Sequence, residues 1–222
     1  MEKKYKLTDE YILQDGVKLF RIEAVKNFRN VKKGDKGGFV ENESNLSHDG
    51  DCWIRGNARV YGNSMVYGNA EVCGDADVYD NAEVFGNALV HGFANVRCNA
   101  KVHCNSIVFG YADVSGSSEV HGDAIVHGNA ELSGDAEVCS NKNYIVFKNW
   151  WSSGRYFTWT RSNNMWRVGC FYGTGEELIA KAYKDSELSG REYERVVKYV
   201  ESIINEDKYE KENEANNQRM DL

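Results

Sequence analysis

Proline is absent from the 222-residue chain, so none of its turns is set by a ring-locked φ; turns fall instead to the 21 glycines and to Asn and Asp. No apolar run is long enough to cross a bilayer, and the opening residues MEKKYKLTDEY lack the apolar core of a signal peptide. A basic surplus is missing too. Lys+Arg number 27 against 34 Asp+Glu, a formal net charge of −7, which argues against charge-driven binding to duplex nucleic acid or anionic membranes. The six cysteines (Cys52, Cys73, Cys98, Cys104, Cys139, Cys170) contain no CxxC pair. They indicate neither a disulfide framework nor a zinc site, so reduced thiols in a cytoplasmic protein are expected. GxGxxG, P-loop and nucleophile-elbow patterns are lacking as well.

What the chain does have is a repeat. From Gly56 to Cys139 it reads as fourteen uninterrupted hexads, GNARVY through GDAEVC, each with Ala or Ser third and Val or Leu fifth. A weaker copy, GDCWIR, starts at Gly50, and SNLSHD from Ser44 is a further candidate. Two inward residues separated by one outward residue describe a short strand of period two. A Gly-Asn or Gly-Asp pair then turns the chain, because both residues tolerate left-handed backbone. A six-residue apolar period does not follow a 3.6-residue helical turn, which excludes an amphipathic helix. Three hexads close an 18-residue triangular coil, and roughly five coils at about 4.8 Å give a prism of about 24 Å. The expected fold is mainly β: a single-stranded parallel β-helix.

The V-x-G-[ND]-[AS]-x pattern resembles the hexapeptide-repeat, left-handed β-helix proteins best known as acyltransferases. The lead-in GDKGGFVENESNLSHDGDCWI and the later GCFYGTGEELIAKAY are more similar to repeat proteins of phages and prophages of Gram-positive bacteria. Left-handedness is implied by that resemblance, not by spacing, as is a bacterial host cell for a phage-encoded chain. Domains are expected at 1–43 (N-terminal hairpin cap), 44–141 (coil), 142–206 (β-meander plus two helices) and 207–222 (a polar tail, read as disordered).

Outward residues 18 apart should stack in columns. One column holds Trp53, Glu71, Leu89, Ile107 and Ile125; its equivalents are Arg59, Asp77, Asn95, Asp113, Glu131 and Met65, Glu83, Lys101, Glu119, Glu137. Only the first is largely apolar. Beside it runs Arg55, Cys73, His91, Phe109, His127, and the next corner carries Phe93 and Tyr111 where Asn or Asp is usual. Trp53, Leu89, Phe93, Ile107, Tyr111 and Ile125 are therefore candidate interface residues. The cover could be the chain's own C-terminal module, a second subunit (three-fold in the resembled family, so a trimer is favoured), or a foreign partner.

The flanks are of different character. Asp15-Gly16 between two apolar-rich runs signals a hairpin that would cap the first coil. Residues 142–172 read as a strand-rich meander, and two helices follow, with capping boxes at Thr174/Glu177 and Ser189/Glu192. Tyr193, Val196, Val197, Val200, Ile203 and Ile204 form one apolar stripe on the second helix. Between Glu137 and Glu176 there is no acidic residue, while Lys142, Lys148, Arg155, Arg161 and Arg167 alternate with Trp150, Trp151, Trp159 and Trp166. Guanidinium groups pair with phosphate and flat aromatics stack on bases. Alternatively, the rings are the module's core and the cations its solvated face.

Two functions follow. The first is a non-catalytic, self-associating scaffold that sequesters a small anionic or nucleotide ligand at subunit interfaces, without cofactor or metal. Its ligand contacts would be Arg155, Trp159, Arg161, Trp166 and Arg167, with His91, Phe109 and His127. The second, implied by the acyltransferase resemblance, uses a coenzyme A thioester and a histidine base among His91, His103, His121 and His127. The same outward position carries Tyr, Cys, Phe, Arg and Ser elsewhere, so ordinary surface histidines are the simpler reading.

Overall fold

The computed structural model describes the backbone of residues 2–220 and the side chains of residues 2–206; the tail expected at 207–222 lies outside the fully described residues. The chain forms two compact units, Met1–Lys148 with Tyr156–Tyr172, and Asn149–Arg155 with Gly173–Leu222.

The first unit opens with β1 (Tyr5–Gln14) and β2 (Val17–Ala24), paired antiparallel. Asp15 and Gly16 join them at φ of 50° and 84°, as a two-residue turn matched to strand twist requires. β3 (Lys36–Val40) pairs antiparallel with β2 on one side and parallel with Arg59–Val60 on the other. It thus converts the hairpin sheet into the first wall of the coil, earlier than the expected start at Ser44. Fifteen two-residue strands follow, β4 (Trp53–Ile54) through β18 (Glu137–Val138). They sort into three walls whose neighbours lie 18 residues apart, for example Leu89 with Ile107 and Ile107 with Ile125. The chain is a parallel β-solenoid.

The third and fifth hexad positions fill its interior. Ala58, Val60, Ala76, Val78, Ala112 and Val114 are among the residues wholly out of solvent, in one continuous core cluster. Because every second residue points in, the small and branched side chains interdigitate layer upon layer. Corner backbones approach closely. At Gly110, with φ of 76°, a Cβ would stand 2.9 Å from the Gly128 nitrogen. On the outside, Asn69, Asn87, Asn105 and Asp123 form a ladder, each amide donating 3.1 Å to the next rung.

Only the lead-in breaks the spacing. Leu46 bridges to Val66 and Val40 to Val60, both 20 apart, whereas Ile54 meets Val72 at 18. Two extra residues therefore lie between Leu46 and Ile54. Leu46 takes the valine position rather than the alanine position that the SNLSHD frame implies.

Both ends of the coil are closed. At the start, the Tyr5 hydroxyl donates to the Leu46 and Glu43 carbonyls at 2.8 and 2.9 Å, and buried Lys4 donates to Gly50 O at 3.1 Å. At the finish, strand N–H groups that have no further coil above them find side chains. Ile125 N–H donates to Asn141 Oδ1 (2.8 Å), Glu131 N–H to Thr158 Oγ1 (2.9 Å) and Glu137 N–H to Ser162 Oγ (2.7 Å). These caps come from an antiparallel sheet of β19 (Tyr144–Lys148), β20 (Tyr156–Thr160), β21 (Met165–Val168) and β22 (Phe171–Gly173), and from the turns beside it. An open edge would otherwise offer itself for polymerisation.

In the second unit, α1 (Gly175–Asp185) starts with the expected reciprocal cap between Thr174 and Glu177. α2 (Glu187–Met220) starts earlier than expected. Ser186 Oγ accepts from Ser189 N–H at 3.1 Å, which places Ser189 inside the helix and leaves no box to Glu192. Tyr193, Val197 and Val200 of the expected stripe are buried, and the Tyr193 hydroxyl accepts from Asn149 Nδ2 at 3.0 Å.

Candidate functional site: an open apolar wall and its terminal groove

The three walls differ by one rule of neighbours. The sixth residue of a hexad leans toward the fourth residue of a strand 16 positions on. On two walls this diagonal is polar at several rungs: Arg97 with Asp113 at 3.1 Å, His103 with Glu119 at 2.5 Å, His121 with Glu137 at 3.0 Å. Tyr67 likewise donates to Glu83 at 2.7 Å. On the third wall the pattern begins with Arg55 and Glu71 at 2.8 Å and then turns apolar, with Cys73/Leu89, His91/Ile107 and Phe109/Ile125 at the same spacing. Charges at these rungs of the first two walls are thus paired, while the outward column of the third wall presents Leu89, Ile107 and Ile125; stacked rings occur on all three walls, Tyr61 on Tyr79 and Tyr67 on Phe85 among them.

Those rings are ordered by the coil. His91 and Phe109 stack with centroids 4.9 Å apart and 2° between planes; Phe109 and His127 follow at 5.4 Å. At the adjoining corner Phe93 stacks on Tyr111 at 5.2 Å, and these two stay 52% and 63% exposed. Leu89, Ile107 and Ile125 are half-buried. Trp53 differs from the rest of its column. It is 2% exposed, with Phe28 edge-on at 5.4 Å and Tyr5 at 6.4 Å, so the N-terminal segment covers it and it belongs to the core, not to the open wall.

No protein-family model matches the chain, and no curated protein is found to be similar to it.

The basic-aromatic meander resolves toward packing. Trp159 and Trp166 are buried, Trp166 near Phe147 and Phe157 at 5.9 and 6.1 Å, and the Trp159 indole donates to Asn164 Oδ1 at 2.9 Å. Neither indole has an open face for a stacked base. Arg167 pairs with Glu131 at 3.4 Å, and Arg161 donates to Lys142 O at 3.1 Å while lying over Trp159. Burial pushes the Glu131 carboxyl above its usual range, with Arg167 opposing. Arg155 is exposed and belongs to the other unit.

Among the histidines, His103 is the most elaborated. Its Nε2 meets Glu119 and its Nδ1 lies 3.2 Å from the exposed Cys104 thiol, while its ring stacks on Phe85 at 4.6 Å and His121 at 5.4 Å. His91 and His127 instead sandwich Phe109. Among the described residues no group of three or more His, Cys, Asp or Glu could hold a metal ion, and no helix is long and apolar enough to cross a membrane.

At the last coil the apolar wall ends in a groove of about 550 Å³. His127, Asn129, Asn141, Tyr144, Ile145 and Tyr156 line it. The sequence columns did not foretell it, because its far side comes from β19 and β20, beyond the repeat. The signal available was the end of periodicity at Cys139: the final rung of every column must meet something that is not another coil.

Proposed function

We propose that the protein is a non-catalytic scaffold that associates with copies of itself through the third wall, with Leu89, Phe93, Ile107, Tyr111 and Ile125 at the contact. The observation that carries this reading is the run of Leu89, Ile107 and Ile125 along one wall beside the exposed Phe93 and Tyr111, where the same outward column of the other two walls is mostly charged and paired, Met65 apart. A flat, rigid array of large side chains loses little conformational entropy on contact, and closed symmetric assemblies are the usual outcome of self-association. A trimer is the size implied by the resemblance to hexapeptide-repeat proteins. Light scattering coupled to size exclusion tests the reading. Wild type should elute as one oligomer, and Ile107→Glu should elute as monomer with an unchanged circular-dichroism spectrum.

A second reading, acyl transfer from a coenzyme A thioester, has one observation in its favour. Glu119, His103 and Cys104 form a chain in which a carboxylate orients an imidazole beside a thiol. Thiol release from acetyl-coenzyme A that disappears in His103→Ala would establish it.

A further inference from the structure

We infer that the groove at the end of the apolar wall is a binding site for a planar heteroaromatic ring bearing an anionic group. This goes beyond self-association and does not depend on it, because every residue lining the groove belongs to the first unit of a single chain.

A ring ladder ends at this groove with a rung unfilled. His91, Phe109 and His127 repeat every 18 residues, and each ring below His127 has a ring on its upper face. The residue 18 beyond His127 is Ile145, which lines the groove from β19 rather than continuing the ladder. His127 is exposed, and a flat ring seated on it would extend a stack whose register the coil already sets.

A polar group comes from Asn129, which returns an amide to the corner where Tyr111 and Phe93 stand one and two coils earlier, and which lines the groove. The residue 18 ahead of it is Phe147 of β19, whose side chain offers that amide no acceptor. A ring nitrogen or carbonyl edge would supply the acceptor. Stacking on an aromatic face together with an amide at the ring edge is how proteins hold heteroaromatic bases.

The remaining lining sets charge and size. Among the described residues no Asp or Glu lines the groove. Lys148 Nζ lies 5.5 Å from the centroid of the Tyr156 ring, bringing a cation to this wall. Tyr144 is held in place by its hydroxyl, which donates to Ile125 O at 3.0 Å. About 550 Å³ suits a ligand of nucleoside size.

The experiment is calorimetric titration of the intact assembled protein with adenosine, guanosine, cytidine and uridine 5′-monophosphates, and with adenine and benzoate as separate arms. The His127 Cε1–H resonance is followed by NMR. At least one monophosphate should bind and shift that resonance upfield through the ring current. His127→Ala and Asn129→Ala should each weaken binding about tenfold, and Lys148→Ala should weaken the monophosphate but not adenine. His91→Ala, two rungs away, should bind as wild type. Silence across the panel at millimolar concentration overturns the site, and so does binding that survives His127→Ala. Binding of benzoate as tight as that of the monophosphates would overturn the heteroaromatic assignment. Scattering recorded on the same samples separates loss of ligand from loss of assembly.

Discussion

Phe93 and Tyr111, one above the other on successive coils, stack with centroids 5.2 Å apart while both remain more than half exposed. They replace the Asn or Asp that turns most other corners, so local folding does not require them. Phe93→Asn with Tyr111→Asn should therefore leave the intrinsic stability of one chain within about 1 kcal/mol. It should remove the dependence of Tm on protein concentration that association imposes on the wild type. Differential scanning calorimetry over a hundredfold concentration range reads both.

Corner backbone chemistry gives a prediction of opposite signs. Gly110 sits at φ 76° with backbone close above it, and Gly110→Ala should cost about 1–2 kcal/mol or more. Cys104 occupies the same kind of corner at φ 60° with a side chain that disfavours it, so Cys104→Gly should stabilise by about 1 kcal/mol. Urea unfolding distinguishes the two.

The closing sheet should be removable one hydrogen bond at a time. Thr158→Val keeps shape but leaves the Glu131 N–H without its acceptor, and Ser162→Ala does the same to Glu137. Each should cost about 1–2 kcal/mol. The double variant, with two strand edges released, should form end-to-end assemblies visible as a rising light-scattering signal.

Most of the coil was legible in its residues. Ala and Val at fixed spacing can be buried only if they stack, and the 18-residue register of Leu89, Ile107 and Ile125 follows. What lay outside the repeat was less legible. Trp53 shares a column with Ile125, yet its burial depends on Phe28, which no periodicity connects to it. Trp159 is buried within its strand while Arg161, just past the strand's end, lies over the indole from outside, so a composition rich in both looks like a ligand surface and folds as a core with its cation outside. Ser186, not Ser189, caps α2 because the single residue between the helices must serve both.

Acid should act first at the lead-in. Burial lowers the His48 pKa below its ordinary 6.5, with Glu43 opposing and Lys3 and Lys4 reinforcing. The unfolded chain then takes up a proton before the folded one does, so stability is present above pH 6.5 and declines as pH falls below it. His48→Gln should flatten that limb. Glu131 carries the opposite sign: its carboxyl is raised by burial, so the folded state holds its proton more tightly and stability falls as pH rises through the interval above the usual carboxylate value. Glu131→Gln should remove that slope. Urea midpoints between pH 4 and 8 would show both.

Sedimentation velocity on the wild type and on Ile107→Glu bears most directly on the role of the third wall. The wild type should sediment as a single oligomer at micromolar concentration, and Ile107→Glu, with its coil intact by circular dichroism, as a monomer. A wild type that remains monomeric at about 100 μM, or an Ile107→Glu variant that assembles unchanged, would contradict that role.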